Sequence, residues 1–444
     1  MGVIMKKVVA LFFVFVFCLE LLPPVFAENI SAENVPLDSN SVRGVWVSTV
    51  YNLDFPSKAG LTTENLKAEV ISILNNLQNL SINTVFLQVR PECDAIYNSE
   101  IYPMSKYITG AQGKAVTGDF DLLTYWIAEA HSRNIKLHAW INPYRVSANG
   151  DLSQLATTNP ALKNRQWLLT TSDNQVYFNP GIPAVTDLIL SGIREILDNY
   201  SIDGIHFDDY FYPNAKYDDT AAYSTYGKNF KTIEDFRRNN VTELIRKTHN
   251  LCSSKEVVFG VAPTSIWQNK FSNPLGSDTN GFESYSVAYS DSRLWVKKGF
   301  VDYIIPEIYF EIGHENADYT TLINWWSNVC EGTNVKLYAG IGAYKFEASP
   351  QNIINELKLN ESVKNVQGAV FFRYGFLKNE AIFSALSNYY IPPITPIPPV
   401  PPVIVPKTYS LEVTRPKSNS YKTSLRTFYI MGTSDASTDR KSVV

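Results

Sequence analysis

The sequence predicts an α/β fold closed into a (β/α)8 TIM barrel with enlarged loops, and three observations predict it. From Arg43 to about Tyr390, apolar strand-like runs alternate with amphipathic helix-like segments, which requires a parallel sheet. Eight such pairs over roughly 350 residues fit one closed barrel. Several strands end in charged and aromatic residues where turn residues are usual, as strands do when their C-terminal ends build a site. A doubly wound open sheet is the alternative, but it would carry a Gly-rich phosphate loop after an early strand, and none is visible.

The elements follow in order. Arg43–Val50 is the first strand. Thr63–Leu80 is helical, with Thr63 as its cap and Leu66, Val70, Ile73, Leu74 and Leu77 on one stripe. Asn83–Arg90 is the second strand, and a long loop with Pro91, Asp94, Tyr102 and Gly110 leads to a helix over Asp121–Arg133. Ile135–Asn142 is the third strand, followed by a loop and a helix over Ala184–Tyr200. The fourth strand, starting at Ile202, ends in two adjacent carboxylates, Asp208 and Asp209. Ile233–Leu251 is a helix, Glu256–Ala262 the fifth strand and Tyr289–Gly299 a helix. Val301–Tyr309 is the sixth strand, Tyr319–Val329 a helix, Val335–Ile341 the seventh strand, Gln351–Leu359 a helix and Val366–Arg373 the eighth strand, before a last helix to Tyr389.

Flanking segments differ in composition. Residues 1–27 read as an export signal: Lys6 and Lys7, an apolar run from Val8 to Leu22, then Val25-Phe26-Ala27 as a cleavage pattern. The run is short for a membrane span, and Phe17 before Cys18 is too bulky for a lipid-anchor site. The product is therefore expected to be secreted or cell-wall associated, without a stable membrane anchor. Residues 28–42 form a linker to the barrel domain, 43–390. Residues 391–406 carry eight prolines and form a semi-rigid spacer. Residues 407–444 hold two strand-like runs, YSLEV and RTFYI, a fragment of a β-rich domain or a tail without structure.

Composition narrows the function. A net charge of −4 over 444 residues offers no basic field for phosphates, which excludes nucleic acid as a partner. The 26 Tyr and 8 Trp supply rings that suit ligands with one apolar and one polar aspect, such as sugars. Cys93, Cys252 and Cys330 are far apart and form no CxxC or His/Cys cluster, so free buried thiols are expected, and neither a metal nor another cofactor. A monomer is expected.

Period-2 geometry selects the inward residues. On strand four, Gly204, His206 and Asp208 share one face, opposite Ile205, Phe207 and Asp209. Asp208 is then the inward carboxylate. Gln88 and Arg90, Trp140 and Asn142, and Glu307 and Tyr309 likewise share faces opposite apolar sets. Asp94, Tyr144, Arg145, Tyr210, Trp267 and Arg373 lie at or just beyond the strand ends. Two inward carboxylates in an aromatic cleft suit glycoside hydrolysis, which needs one ionised group and one protonated group. Asp208 beside Arg90 or Arg373 would stay ionised, as nucleophile or charge stabiliser. Glu307, between Pro306 and Ile308, would be held protonated by desolvation, as general acid/base. The bland readings are a capping Asp208, a Glu307 salt-bridged to Arg90 or Arg145, and arginines that only anchor loops. His206 would bind sugar hydroxyls or orient Asp208.

The chain from Arg43 to about Tyr389 resembles the family 10 glycosyl-hydrolase-like proteins. The matching pieces are Arg43-Gly44-Val45-Trp46-Val47, Gln88-Val89-Arg90-Pro91 with Asp94-Ala95-Ile96-Tyr97, and His138 through Arg145. They continue with Asn179-Pro180-Gly181, Asp203 through Pro213, Arg237 through Val241, and Asp302-Tyr303-Ile304. The resemblance implies an exported bacterial (β/α)8 glycosidase acting on bacterial glycans, with peptidoglycan strands the first choice of substrate. Asp203-Gly204-Ile205-His206-Phe207-Asp208 is also similar to the nucleophile strand of α-amylase-type barrels, Asp-Gly-x-Arg-x-Asp, with His206 in place of Arg. This favours Asp208 over Asp209. Where the family often has Gln, this chain has Glu307, which leaves Asp209 and Asp94 as alternative acids. A non-catalytic glycan- or wall-binding barrel is the rival function, since one fold serves many purposes. A metal-dependent deacetylase is a third reading, disfavoured by only 5 histidines.

Overall fold

A computed structural model describes residues 41–118, 120–391, 411–415 and 431–434. The chain divides into two units, Met1–Pro392 and Pro393–Val444. In the first, eight parallel strands close into a barrel: β1 (Val42–Val47), β2 (Thr84–Arg90), β3 (Lys136–Ile141), β4 (Gly204–Phe207), β5 (Val258–Val261), β6 (Tyr303–Ile304), β7 (Lys336–Gly342) and β8 (Val366–Phe372). Each pairs with the next, and β8 returns to β1 with Gly44 opposite Val370. That closure removes the open-sheet alternative. The outer layer is α1 (Thr63–Asn79), α2 (Leu122–His131), α3 (Pro183–Asn199), α4 (Ile233–Ser253), α5 (Ser292–Lys298), α6 (Tyr319–Cys330), α7 (Gln351–Ser362) and α8 (Glu380–Tyr390).

Local differences from the sequence reading have physical causes. Thr62, in extended backbone, caps α1 by accepting from the Asn65 amide, so Thr63 is already helical. The predicted strand Val301–Tyr309 shrinks to Tyr303–Ile304 because Pro306 has no N–H to donate; beyond it Glu307 makes single bridges to Thr264 and Gly340. The loop after β3 contains an unforeseen antiparallel sheet of Arg145–Ser147, Val176–Phe178 and Leu168–Thr170.

Strand parity sorts the core. Val45, Val85, Leu87, Leu137, Ala139, Ile205, Phe207 and Ile304 are buried against the helices. Trp46, Phe86, Trp140, Tyr303 and Ile305 pack together inside the barrel. Large and small residues alternate there, as a tapering interior requires. A Cβ on Gly204 would come within 2.5 Å of the His138 ring, and one on Gly260 within 2.1 Å of Tyr303. Two aspartates latch the opposite ends of the strands. Asp203 accepts from the Leu137 amide at 2.7 Å and pairs with His131 on α2; Asp302 accepts from the Phe259 amide at 2.8 Å and pairs with His249 on α4.

Cys93, Cys252 and Cys330 are free, buried thiols. The expected signal and most of both linkers lie outside the described residues. In the second unit, Leu411–Arg415 pairs antiparallel with Met431–Ser434; the RTFYI run lies outside the described residues.

Candidate active site

The C-terminal ends of β3 and β4 build the centre of the site. Asp208, one residue past the end of β4, is 4% exposed. Its Oδ2 accepts from Trp140 Nε1 and from Asn142 Nδ2, both at 3.0 Å. Its Oδ1 accepts from the Tyr210 amide at 3.3 Å. Trp140 and Asn142 reach it because Trp140 pairs with His206 across β3 and β4, which places one inward row beside the other. Asn142 also accepts from the Arg145 amide at 3.3 Å, fixing the chain where it leaves β3. The Arg145 guanidinium lies 4.4 Å over the Tyr210 ring.

Electrostatics separates the carboxylates. Burial pushes Asp208 up to about 6; the Arg145 charge opposes this, and the neighbouring Asp209 adds to it. Glu307 is driven well above the usual carboxylate range, first by desolvation and then by the charges of Asp209 and Asp208. Asp209 is raised by desolvation while its hydrogen bond from Thr264 Oγ1, at 2.9 Å, acts the other way. Glu307 is held between two neighbours, its amide donating to the Pro263 carbonyl at 3.0 Å and the Ile308 amide donating to Gly340 at 3.0 Å. Beside it the buried Tyr309 hydroxyl faces the Glu307 carboxyl and acts, as the smallest cause, against its rise, and the Tyr309 ring packs on Phe372 and Tyr344. Burial thus raises both groups, but Asp208 has Arg145 to oppose the rise, whereas no cation acts on Glu307.

Several expected site residues lie elsewhere. Arg90 was expected at the mouth beside Asp208. A bulge between Gln88 and Arg90 brings Arg90 opposite Ile141 and so onto the outward parity. Its guanidinium stacks 3.8 Å over Tyr102 and lies against Gly192 of α3. Gln88 does point inward, accepting from Ser48 Oγ and from the Thr49 and Val50 amides. Arg373 binds Asp54 at 2.5 Å and the Leu53 carbonyl. The cation that acts on Asp208 is Arg145.

His206 is fully buried beneath Asp208. Its Nε2 accepts from Trp46 Nε1 at 3.0 Å and its Nδ1 faces Tyr303 Oη at 3.3 Å. Both ring nitrogens are engaged inside the barrel, which leaves neither for a sugar hydroxyl. Asp94 is fully buried in a second acid pair with Glu92, which Lys106 neutralises at 3.1 Å. Burial and Glu92 raise Asp94 to about 7. Tyr144 is buried in the outer core. Trp267 donates to Asp291 at 2.9 Å and stacks on Trp325 of α6. Tyr210 is 50% exposed at the rim.

Two features escaped the sequence reading. Thr264 holds Asp209, and continuing the inward parity Gly260, Ala262 along strand five would have pointed to it. Arg237 on α4 binds Asp219 through a forked pair, donates to Tyr289 Oη at 2.7 Å and packs against the Tyr217 ring, which ties down the loop after β4. No local pattern links Arg237 to Asp219. Among the described residues no group of three His, Cys, Asp or Glu side chains could hold a metal ion.

A closed parallel barrel with buried carboxyl groups gathered at its C-terminal mouth defines a glycosidase-type (β/α)8 protein. The chain belongs to the glycosyl hydrolase-like 10 family, whose pattern it matches over residues 41–356. It is 38% identical over 360 residues to the glycosyl hydrolase YngK of Bacillus subtilis (76% of this chain, 70% of that protein). It is 39% identical over 382 residues to the glycosyl hydrolase DigH of Escherichia coli K12 (79% of this chain, 86% of that protein). Among solved structures, α-L-fucosidase isoenzyme 2 from Paenibacillus thiaminolyticus aligns with a TM-score of 0.51 at 13% identity, covering 79% of this chain and 49% of that one; this likeness concerns the fold. The protein is a glycosidase, and the purely binding barrel is set aside.

Proposed function

We propose that this glycosidase is exported and cleaves bacterial cell-wall glycan, with peptidoglycan strands as substrate, using Asp208 as nucleophile or charge stabiliser and Glu307 as general acid/base. One observation carries the assignment: of two buried carboxyl groups at the mouth, Asp208 has the Trp140 and Asn142 donors and the Arg145 charge to favour its ionised form, whereas no cation opposes the upward push of burial on Glu307. Retaining and inverting hydrolysis both need that division of labour. Trp140 and Asn142 hold Asp208 by one oxygen, so its lone pairs are directed rather than free. Arg145 keeps the carboxylate form accessible.

The substrate class is supported by the rim. Tyr51, Tyr210, Phe282 and Tyr344 are exposed large rings on the loops after β1, β4, β5 and β7, and exposed rings of this kind stack on the apolar faces of sugars. The export signal and Pro-rich spacer of the sequence fit a protein that works outside the cytoplasm. We take it to act as a monomer, without cofactor, membrane anchor or nucleic acid. Asp209 is a second candidate for the acid, because Thr264 positions it and burial raises it.

The test is to incubate the mature protein with purified, peptide-free glycan strands and to follow new reducing ends. Release of oligosaccharides supports the reading; intact strands under conditions where the protein binds them would overturn it. Loss of the alkaline limb of activity in Glu307→Gln assigns the acid to Glu307, and its loss in Asp209→Asn assigns it to Asp209.

A further inference from the structure

A cleft of about 480 Å³ opens beside the carboxylates. One wall comes from the loop after β4, through Tyr210, Tyr212 and Ala215, and another from the loop after β5, through Phe282 and Ala288. At the strand ends the two loops are joined by the Thr264 hydroxyl, which donates to Asp209 at 2.9 Å. Further out they meet in a cage around Arg237, which lies near the start of α4 and does not itself line the cleft. Asp219 of the first loop takes the fork of the guanidinium: Nε donates to Oδ2 at 2.9 Å and Nη2 donates to Oδ1. The remaining nitrogen, Nη1, donates to the Tyr289 hydroxyl of the second loop at 2.7 Å. Tyr217 and Tyr289 each place a ring centre 4.9 Å from the guanidinium carbon. Tyr212 stacks on Tyr217 at 5.7 Å and meets the Tyr289 ring edge-on at 5.3 Å. The Asp219 side chain is fully buried and makes no capping bond to the helix Thr220–Tyr226 that follows it. Tyr289 comes directly after the cleft residue Ala288 and has a φ of 54°, a left-handed backbone that a bulky residue keeps only where its surroundings hold it.

We propose that Arg237 is a positioning residue for substrate: it holds two walls of the cleft at a fixed separation and so governs how tightly a glycan binds, without touching the sugar or the reacting carboxyl groups. The inference rests on the glycan-cleaving reading and extends it to what fixes the shape of the binding cleft. A guanidinium suits this place because its planar fork engages a carboxylate with two donors while a further N–H remains for a second partner. A lysine ammonium is a point charge on a flexible stem and cannot reproduce that geometry. Among the described residues the Asp219 side chain bonds only to Arg237, and a buried carboxylate without its partner is costly, which keeps the clamp closed. A binding surface held in shape before the ligand arrives loses less free energy to ordering. The reacting groups are held elsewhere: Asp208 by Trp140 and Asn142, Asp209 by Thr264, and Glu307 by its bridges to Thr264 and Gly340. Slackening the clamp is therefore expected to weaken binding and to spare the chemical step.

The experiment measures kcat and KM separately on soluble oligosaccharides of one length, cut from peptide-free glycan strands, for Tyr289→Phe, Arg237→Lys and the double variant. Tyr289→Phe removes only the bond to the second loop and leaves the buried Arg237–Asp219 pair whole, so it is the variant expected to fold normally. It is expected to raise KM about three- to tenfold, with kcat within about twofold and both limbs of the pH profile in place, the mark of lost binding shared by ground and transition state. Arg237→Lys is expected to raise KM at least as far. Adding Tyr289→Phe to it should change KM by less than about twofold, because the bridge is already gone. Thermal unfolding of each variant separates this from loss of folded protein, which lowers the apparent kcat and leaves KM alone. Wild-type KM in a folded Tyr289→Phe protein, or effects of the two changes that multiply in the double variant, would overturn the clamp and leave the catalytic reading standing. An unmodified protein that releases no reducing ends from these substrates would remove both.

Discussion

Trp140 Nε1 donates to Asp208 Oδ2 at 3.0 Å, and Asn142 donates to the same oxygen. A hydrogen bond to a charged group is worth about 1.5–3 kcal/mol when buried. Both donors stabilise the carboxylate over the acid. Trp140→Phe, which keeps the ring and removes the N–H, is expected to lower kcat/KM by about 10- to 100-fold. It is also expected to move the acid limb of the pH profile upward, because the ionised form loses a donor. A normal rate with an unshifted limb would show that the contact is idle.

On the proposed assignment the acid limb comes from Asp208. Its folded value, about 6, lies above the ordinary 3.8, so the carboxylate is lost as pH falls through about 6 and activity falls with it. The same assignment gives the alkaline limb to Glu307 losing its proton. Asp209 raises both groups. Asp209→Asn is therefore expected to shift both limbs to lower pH, in a full pH series of kcat/KM. A shift of one limb alone would mean that Asp209 touches only one partner.

The inward row of the barrel was legible in β3 and β4, where alternation ran unbroken and placed Trp140, Asn142 and Asp208 together. It misled at Arg90, because a single bulge reverses parity and leaves no mark in the residues themselves. It could not show that Trp46 and Tyr303 take both nitrogens of His206, since those partners arrive from β1 and β6. The small sheet after β3 was missed because its strands are three residues each, too short for periodicity. Asp203 and Asp302 looked like motif residues and are latches at the other end of the barrel.

His206 gives a stability test. Burial holds it well below 6.5, with the His138 charge a smaller cause. Its neutral form is the folded form, so its contribution is complete above about pH 6.5. It is lost below, by up to about 1.4 kcal/mol per pH unit, as the unfolded chain takes up a proton that the fold refuses. His206→Gln keeps an acceptor for Trp46 and cannot titrate. The stability of wild type relative to this variant, from urea unfolding, should fall between pH 6.5 and 5. A constant difference would mean that the imidazole takes up its proton as readily in the fold as in the unfolded chain.

Gly260 faces the Tyr303 ring so closely that an added methyl would sit 2.1 Å from it. Gly260→Ala is expected to destabilise the barrel by about 1–3 kcal/mol through forced movement of Tyr303. Thermal unfolding of the purified variant measures this, and an unchanged midpoint would show that the interior has room to yield.

The central claim is that Asp208 is the reactive carboxylate. It is tested by the initial rate of reducing-end release from peptide-free glycan strands by Asp208→Asn, with folding verified by circular dichroism. Asparagine is nearly isosteric and cannot carry the negative charge. The expected result is a loss on the order of a thousandfold with strand binding retained; turnover equal to wild type would contradict the assignment.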